Sequence, residues 1–401
     1  MEKLEKSILH NIYFIILLLF LILSLYKGNF EIAPFVYGAF SIGLTGYGHF
    51  IVKRFFPTID KYLYILSVFI VQFGLVMLYR LDLERALKQI TWFAIGISLF
   101  IFILLFMPEI KKFEKSEIFF AIFTIVIITL PLLIGREIKG SKNWIQFGNF
   151  RFQPSELAKI TMIFYLSSAI KRIESYRDVL KVSIPVILSI AIFVLEKDLG
   201  SSLMFFGIFM TMLYIGTSKL RYIFSGAFLF SIGGFMSYFL FSHVRKRVDI
   251  WLDPWRYKFG AGYQICQSLI AIASGGLFGT GLAAGHPEVI PEVYTDFIFS
   301  AISEEFGLLG AIALLMLYLL LIYRMLRTAL YAKDDYSRLV AVGIASMFAF
   351  QVFVIVGGVT KMIPLTGITL PLVSYGGSSM IISFVSIGIL QKISEMGNLD
   401  E

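Results

Sequence analysis

Asp296, Ser300 and Glu304 recur every four positions at the start of a long apolar stretch. Residues four apart lie on one face of a helix, so the spacing predicts an acidic stripe with Asp296 in the first helical turn. Thr295 could cap that helix, and the helix dipole would keep the Asp296 carboxylate ionised. A positioned carboxylate can remove the proton of an attacking hydroxyl. A capping role alone explains Asp296 but gives Glu304 no purpose.

A second charged pair, Glu156 and Lys159, lies inside another apolar stretch. Charges at the centre of a spanning helix cost roughly 2.5–3.5 kcal/mol each on insertion scales, so each requires an explanation. A spacing of three allows an ion pair on one helix face. Such a pair either contributes to a binding site or fixes two helices together, and the spacing does not separate these interpretations.

A long polar connection, residues 242–295, contains the basic run Arg245, Lys246 and Arg247. The run favours an anionic ligand, although lipid headgroups could also attract it. Within the connection, residues 261–281 have an apolar middle and Gly-rich ends. They predict a helix that lies in the interface or re-enters the membrane.

The elements that position these residues are membrane helices. The chain is 58% hydrophobic and 15% charged, and soluble domains carry nearer a quarter charged residues. We find no alternating pattern typical of a β-barrel. The net charge of +8 is explained by cytoplasmic loops rather than by nucleic acid. One cysteine excludes an intrachain disulfide, and the four histidines lack the spacing of a zinc site.

About twelve apolar stretches predict spanning helices. They lie near residues 10–27, 33–52, 61–80, 89–107, 117–135, 154–170, 181–196, 200–217, 222–242, 297–323, 338–359 and 369–391. Basic clusters fall on one side of this arrangement, which the positive-inside rule assigns to the cytoplasm. Both termini are therefore predicted to be cytoplasmic, with the polar connections 135–153 and 242–295 on the other side.

Two further motifs, Pro364-Leu-Thr-Gly367 and Ser374-Tyr-Gly-Gly-Ser-Ser379, flank and enter the last span. Small residues allow close helix approach, and hydroxyl groups can bond backbone groups of an interrupted helix. The residues alone indicate a cavity wall or a helix contact.

With these motifs the sequence resembles the SEDS family, the RodA, FtsW and SpoVE membrane proteins. The matching stretches occur in family order between about residues 60 and 391: Gly140-Ser-Lys-Asn-Trp-Ile145, Gln153-Pro-Ser-Glu-Leu-Ala-Lys159, Asp198-Leu-Gly-Ser-Ser202, Asp253-Pro254, Gly260-Ala-Gly-Tyr-Gln264, Gln267-Ser268, Pro291-Glu292, Thr295-Asp-Phe-Ile-Phe299, Glu304-Glu305-Phe-Gly307 and the two motifs above.

The resemblance implies an all-α polytopic membrane protein with a bundle of about ten spans. Residues 1–56 would then be two extra N-terminal accessory helices, and residues 57–401 the glycosyltransferase domain. The connection 243–296 would be its large extracytoplasmic loop.

The resemblance also implies a peptidoglycan glycosyltransferase of the bacterial cytoplasmic membrane. Such enzymes polymerise lipid II, a disaccharide-pentapeptide on undecaprenyl pyrophosphate, during cell elongation or division. A class B penicillin-binding protein is the expected partner. The donor linkage is α and the product linkage is β, which implies one inverting displacement.

Asp296 matches the aspartate regarded as essential in the family and is the predicted catalytic base. The candidate substrate-binding residues are Lys142, Trp144, Glu156, Lys159, Arg245, Arg247, Gln264, Glu304 and Ser378. An Arg often stands where this chain has Asn143, which leaves Lys142 as the nearby cation. A divalent cation, Mg²⁺ or Mn²⁺, is a candidate cofactor, with Asp296 as its candidate ligand. No organic cofactor is expected.

Two alternatives remain open. The chain could transport lipid II across the membrane, with Glu156, Lys159 and Glu304 along the path. We detect no inverted repeat of the kind that many transporters show. It could instead be a non-catalytic scaffold for the penicillin-binding partner, and replacement of Asp296 would then leave the activity of the complex unchanged.

Overall fold

The computed structural model describes residues 2–26, 28–138, 141–148 and 150–397, so Gly140 of the first motif lies outside the described residues. The described chain is mainly helical. Its α-helices are α1 (Glu2–Leu25), α2 (Ile32–Phe55), α3 (Lys61–Leu81), α4 (Leu83–Phe106), α5 (Glu117–Ile134), α6 (Pro154–Ala169), α7 (Tyr176–Leu195), α8 (Leu199–Thr217), α9 (Leu220–Leu240), α10 (Ser242–Leu252), α11 (Tyr263–Ser274), α12 (Ile298–Leu330), α13 (Asp335–Val359) and α14 (Gly377–Met396).

Eleven of the described helices are long and apolar enough to cross a membrane. The sixth predicted span is α6, which has only 16 residues. It nevertheless packs along α5. The Ser168 hydroxyl near the end of α6 donates to the Glu114 carbonyl (3.0 Å), just before α5 begins, so the two helices run in opposite directions. The predicted all-α polytopic membrane fold is confirmed.

Most predicted spans agree with the helices to within a few residues, including the pair α7 and α8 on either side of a tight turn. The last predicted span is wrong at its start. Residues 369–376 are not helical, and α14 begins at Gly377. The reason lies in the Ser374 hydroxyl, which accepts from the Leu370 N–H and donates to the Thr295 carbonyl instead of continuing a helix.

A small antiparallel sheet follows α5, in a segment that the sequence indicated only as a loop. It consists of β1 (Arg136–Ile138), β2 (Ser141–Phe147) and β3 (Phe150–Phe152), in the order β1-β2-β3. We call the end of the bundle that carries this sheet the hairpin end. The α7–α8 turn, α10 and the starts of α6, α12 and α14 lie at the same end, as the hydrogen bonds given below show.

The predicted interfacial or re-entrant helix is α11, which packs against α12 and α13. The Ser268 hydroxyl lies 2.7 Å from the Ser300 hydroxyl and donates to the Val359 carbonyl (2.9 Å). After α11 the chain inserts into a break in α12 at Gly307, where φ is +67°. Only glycine suits this site, since a Cβ there would lie 2.3 Å from the Gly279 nitrogen.

The N-terminal pair, α1 and α2, is joined to the bundle by polar contacts as well as by apolar packing. The Gln72 side chain of α3 donates to the Ser41 carbonyl (2.8 Å) and to the Thr45 hydroxyl (2.7 Å). The Tyr37 hydroxyl donates to the Ala86 carbonyl of α4 (2.8 Å). That this pair forms an accessory unit of residues 1–56 stays a prediction.

Candidate active site

Asp296 is half-buried at the hairpin end, in the turn that precedes α12. The prediction of a first-turn Asp296 capped by Thr295 is wrong. Helix α12 begins at Ile298, and its N-cap residue makes no side-chain cap. The Tyr294 carbonyl accepts from the Tyr375 N–H (2.8 Å) and the Thr295 carbonyl from the Ser374 hydroxyl (2.6 Å). Because these carbonyls bond to the segment before α14, the chain enters α12 later than predicted.

The segment Leu365–Gly367 brings Asp296 close to a basic residue of α10. The Arg247 guanidinium donates to the Leu365 carbonyl (3.3 Å) and to the Thr366 carbonyl (3.1 Å). Next to it, a Cβ on Gly367 would lie 3.5 Å from Asp296 Oδ2. Gly367 has a φ of +76°, so this close approach uses a conformation that other residues rarely adopt.

A second carboxylate, Asp198, reaches the same place from the α7–α8 turn. It caps α8 by accepting from the Ser201 N–H (2.9 Å). Its other oxygen accepts from the Asn143 amide of β2 (2.7 Å) and lies 3.4 Å from the Gln153 amide nitrogen. Asp198 is 5% exposed, so these bonds replace the water that an ionised carboxylate requires.

Arg247 interacts electrostatically with both carboxylates. Burial lowers the pKa of its guanidinium, and the negative charges of Asp198 and Asp296 act in the opposite direction. The guanidinium group of arginine keeps its proton in proteins, so Arg247 is positively charged. Two acids and one arginine thus surround the Leu365–Gly367 segment, and these three charged side chains form what we call the acid–arginine cluster.

Around this cluster lie buried polar atoms that have no hydrogen-bond partner in the described part of the chain. They are Asn143 Oδ1, Ser155 Oγ, Glu196 Oε1, His243 Nε2 and Thr366 Oγ1. Native proteins leave few buried polar groups unsatisfied, and each one requires an explanation. They are five of the seven such atoms in the described residues, the other two being Glu5 Oε1 and His49 Nδ1, and they indicate a site that binds a polar ligand or ordered water.

Glu156 and Lys159 form the predicted ion pair, with 2.9 Å between Lys159 Nζ and Glu156 Oε1. Lys159 also donates to Gln351 Oε1 of α13 (3.2 Å), and Gln351 in turn donates to the Thr369 carbonyl (3.0 Å). The pair therefore joins α6 to α13 and to the segment before α14, and its charges are paired with each other.

Glu304 and the neighbouring Glu305 hold the loop that enters the break in α12. Glu304 accepts from the His286 N–H (2.9 Å). Glu305 accepts from the Ala283 N–H (3.1 Å) and from Arg80 Nε (2.9 Å). Both acids therefore have a structural role, which the predicted acidic stripe did not include.

Lys142 and Trp144 lie on one face of β2, and Asn143 lies on the other, because alternate strand residues point to opposite faces. The Lys142 ammonium donates to the Leu132 carbonyl at the C-terminal end of α5 (2.7 Å). Asn143, where the family often has an arginine, faces Asp198 instead. The structure therefore places Asn143 beside the acid–arginine cluster and leaves the Lys142 ammonium and Trp144 on the α5 side.

Three more candidates make other contacts. The Ser378 hydroxyl accepts from the Gln153 N–H (3.2 Å) and so fixes the end of β3 to the start of α14. Gln264 is half-buried, and its amide lies 3.5 Å from the Pro291 carbonyl. The exposed Arg245 donates to the Phe239 carbonyl (3.2 Å) at the end of α9. Of the two predicted arginines, only Arg247 points toward the acids.

Sequence reasoning missed Asn143, Glu196, His243 and Thr366 as site residues. Asp198 was noted only as part of a family motif. One signal was visible: Glu196 and Asp198 are two acids in a turn of a few residues between apolar spans. Loops with such residues at membrane depth often line a polar cavity.

Residues 60–398 match the profile of the FtsW/RodA/SpoVE family, described as cell cycle proteins. The chain belongs to this family. It is similar to the peptidoglycan glycosyltransferase RodA of Mycobacterium tuberculosis, with 36% identity over 89% of this chain and 82% of the relative. It is also similar to the stage V sporulation protein E of Bacillus subtilis, with 34% identity over 84% of this chain and 96% of the relative.

Two solved structures resemble this FtsW/RodA/SpoVE protein. One is a chain of a peptidoglycan synthase complex described for its coordination of polymerization and crosslinking, with a TM-score of 0.74, 28% identity and coverage of 84% of this chain and 97% of that chain. The other is the crystal structure of Thermus thermophilus RodA, with a TM-score of 0.65, 28% identity and coverage of 84% and 96%. The chain is thus a multi-pass membrane protein of the FtsW/RodA/SpoVE family, and similar chains have solved structures.

Proposed function

We propose that this chain polymerises lipid II into glycan strands for cell elongation or division, with Asp296 as the general base. The chain is a peptidoglycan glycosyltransferase, as its relatives of the RodA and FtsW types are. The observation that supports the choice of site is the acid–arginine cluster, where Asp296 and Asp198 both act on Arg247.

The reaction requires a hydroxyl nucleophile and a pyrophosphate leaving group. Asp296 is half-buried, lies beside the backbone of Gly367 and can accept the proton of the attacking sugar hydroxyl. General base help of this kind is typically worth 10²–10⁴-fold in rate. Arg247 supplies a fixed positive charge for the leaving pyrophosphate, and such charge stabilisation is usually among the largest catalytic effects. A single inverting displacement needs no covalent sugar intermediate.

A divalent cation remains part of the proposal. Among the described residues no group of three or more His, Cys, Asp or Glu side chains could hold a metal ion by itself. Mg²⁺ is commonly held by one or two carboxylates together with substrate phosphates, and Asp296 fits that requirement. Such an ion would neutralise charge on the pyrophosphate.

The hairpin end is proposed to face away from the cytoplasm. The basic residues Lys53 and Arg54 end α2 at the opposite end, and Lys171 and Arg172 follow α6 there. Cytoplasmic loops carry such an excess of Lys and Arg. Both termini would then be cytoplasmic, and a class B penicillin-binding protein would meet the chain outside, as the similarity to a polymerising and crosslinking complex suggests.

Transport of lipid II gains no support from the charges inside the bundle. Glu156 and Lys159 are bonded to each other, and Glu304 and Glu305 accept from backbone N–H groups and Arg80. Side chains that line a translocation path would instead be expected to face a water-filled cavity.

The test is glycan-strand synthesis from purified lipid II in liposomes with Mg²⁺ or Mn²⁺ and a class B penicillin-binding protein. We expect Asp296→Asn and Asp296→Ala to reduce the rate by about 10²–10⁴-fold. The matched control is Asp249→Asn, an acid of α10 that accepts from the Tyr238 hydroxyl (3.2 Å) and lies outside the cluster. Wild-type activity in both Asp296 variants would remove Asp296 as the base. No polymer from the folded, partnered wild type would contradict the proposed activity.

A further inference from the structure

His243 lies in the first turn of α10, four residues before Arg247, so both side chains leave the helix on the same face. Its Nε2 atom is buried and has no hydrogen-bond partner in the described part of the chain. The ring packs 5.7 Å from the Phe241 ring, which supports the apolar edge of the imidazole. A buried ring nitrogen without a partner is poorly explained as packing alone.

The charged groups that act on His243 are both positive. Arg247 acts from the same helix, and Lys197 acts from the α7–α8 turn. Lys197 adopts a φ of +62°, an uncommon value for a residue with a side chain, next to the turn residue Asp198. We call His243, Lys197 and Arg247 the basic cluster.

The basic cluster adjoins the acid–arginine cluster through Arg247, whose guanidinium is bonded to the Thr366 carbonyl (3.1 Å). The Thr366 hydroxyl is itself a buried group without a partner in the described residues. His243 and Arg247 therefore share one face of α10, Lys197 acts on the imidazole from the α7–α8 turn, and Arg247 is bonded to the Thr366 backbone. Phosphate oxygens are the ligands that such a group of donors suits.

We propose that His243 binds the diphosphate group of the lipid-linked substrate or product and takes up one proton from solvent as that group binds. This inference rests on the proposed function, since it assigns the diphosphate of that reaction to the basic cluster. No bond of the ligand is broken in this step. The proton moves from water or buffer to the imidazole, and the imidazolium then donates a charge-assisted hydrogen bond to a phosphate oxygen.

The direction of the proton linkage follows from the electrostatics. Burial, Arg247 and Lys197 all lower the pKa of His243, so the imidazole is neutral at pH 7 when no anion is bound. A diphosphate supplies negative charge beside the ring and reverses that effect. Since binding and protonation are linked, affinity for a diphosphate increases as the pH falls, by at most about tenfold per pH unit for one proton.

The experiment measures binding of farnesyl diphosphate to the purified full chain in zwitterionic detergent by titration calorimetry. Wild type and His243→Gln are compared between pH 6.5 and pH 8, and each is titrated in two buffers of different ionisation enthalpy. The ligand's own protonation affects both proteins equally, so the difference between them reports His243. We expect the wild type to take up between about half a proton and one proton at pH 7 and to lose more affinity than the variant as the pH rises.

The control variant is His286→Gln, because the His286 side chain is 83% exposed and contacts Glu288 away from the basic cluster. It should behave as the wild type does. A parallel titration with phosphatidylglycerol separates a diphosphate ligand from a phospholipid headgroup, and equal proton uptake with that lipid would overturn the assignment. Diphosphate binding with the same pH dependence in wild type and His243→Gln would overturn the inference alone. Absence of diphosphate binding by the wild type would contradict the proposed function and the inference with it.

Discussion

Two arginine–carboxylate arrangements at opposite ends of the bundle differ in the polar groups that surround them. At one end, Arg324 of α12 contacts both oxygens of Asp60, at 2.7 Å from Nε and 2.5 Å from Nη2. The Asp60 N–H and carbonyl bond to Ser394 and Gln391 of α14. At the hairpin end, Arg247 donates to two backbone carbonyls, and the charges of Asp198 and Asp296 act on its guanidinium.

The difference separates a structural ion pair from a binding site. The Asp60 carboxylate is fully buried, and its bonds join α3, α12 and α14 into one network. Buried polar networks that are fully satisfied make a structure rigid, whereas unsatisfied groups are costly unless a ligand or water bonds them. The hairpin end keeps such groups, and its geometry is therefore suited to a substrate.

The largest expected effect is the loss of the Asp60–Arg324 pair. Asp60→Asn leaves the Arg324 guanidinium buried without a charged partner, and breaking one partner of a buried pair costs about 3–5 kcal/mol. We expect a large fall in the melting temperature of the purified chain in detergent. Arg324→Lys retains the charge but loses the two-point geometry, so its melting temperature should lie between those of Asp60→Asn and the wild type.

The control is the exposed pair of Asp335 and Arg338, whose side chains are 61% and 47% exposed. Exposed pairs contribute about 0–1 kcal/mol, so Asp335→Asn should leave the melting temperature almost unchanged. Equal shifts in the melting temperatures of Asp60→Asn and Asp335→Asn would show that the network around Asp60 stabilises the fold no more than an exposed ion pair does.

The next effect concerns activity rather than stability. Asp198→Asn keeps the N-cap of α8, since asparagine caps helices as well as aspartate does, but it removes the charge that faces Arg247. We expect lipid II polymerisation to fall about 100-fold, equivalent to roughly 2.7 kcal/mol of barrier.

Asp82→Asn is the matched control for Asp198→Asn. Asp82 also caps a helix, accepting from the Arg85 N–H at the start of α4, and it also pairs with an arginine side chain. Its pair lies outside the acid–arginine cluster. If both variants lost activity to the same degree, the effect would belong to helix capping or to surface charge and not to the cluster.

The sequence could predict the parts of the fold that depend on local residues, but not the parts that depend on distant partners. Spans were predictable because lipid requires about 20 apolar residues in a row, and each helix satisfies its own backbone locally. The sheet β1–β3 was not, since strands of three and seven residues give little alternation to detect. The start of α14 was missed because Ser374 bonds to Thr295, a partner 79 residues away.

For the site, residue types were more predictable than contacts. Asp296 and Arg247 were identified from charge in unusual places, and the structure brings them together. The partners of Asp198 were not predictable, because Asn143 lies 55 residues earlier in the chain. Glu304 and Lys159 were identified by the same reasoning, but their contacts are structural. A buried charge thus marks an important position, but only its hydrogen bonds show whether the side chain has a structural or a functional role.

The smallest expected effect is the pH dependence of stability that comes from Glu196, a buried acid of the hairpin end. Glu196 is 1% exposed in the α7–α8 turn, and burial together with the Asp198 carboxylate raises the pKa of Glu196 to about 9. The group is therefore a neutral acid at pH 7. Because the folded state holds this proton more tightly than the unfolded chain, stability is greatest below about pH 4.5 and falls as the pH rises toward 9.

Glu196→Gln reproduces the neutral acid without a titrating proton. Between pH 7 and pH 8 the wild type should lose at most about 1.4 kcal/mol relative to this variant, a change of a few degrees or less in melting temperature. Glu174→Gln, an exposed acid at the opposite end of α7, should follow the wild type. Parallel pH profiles for wild type and Glu196→Gln would mean that Glu196 is ionised and bonded in solution. The hairpin end would then have one unsatisfied buried group fewer.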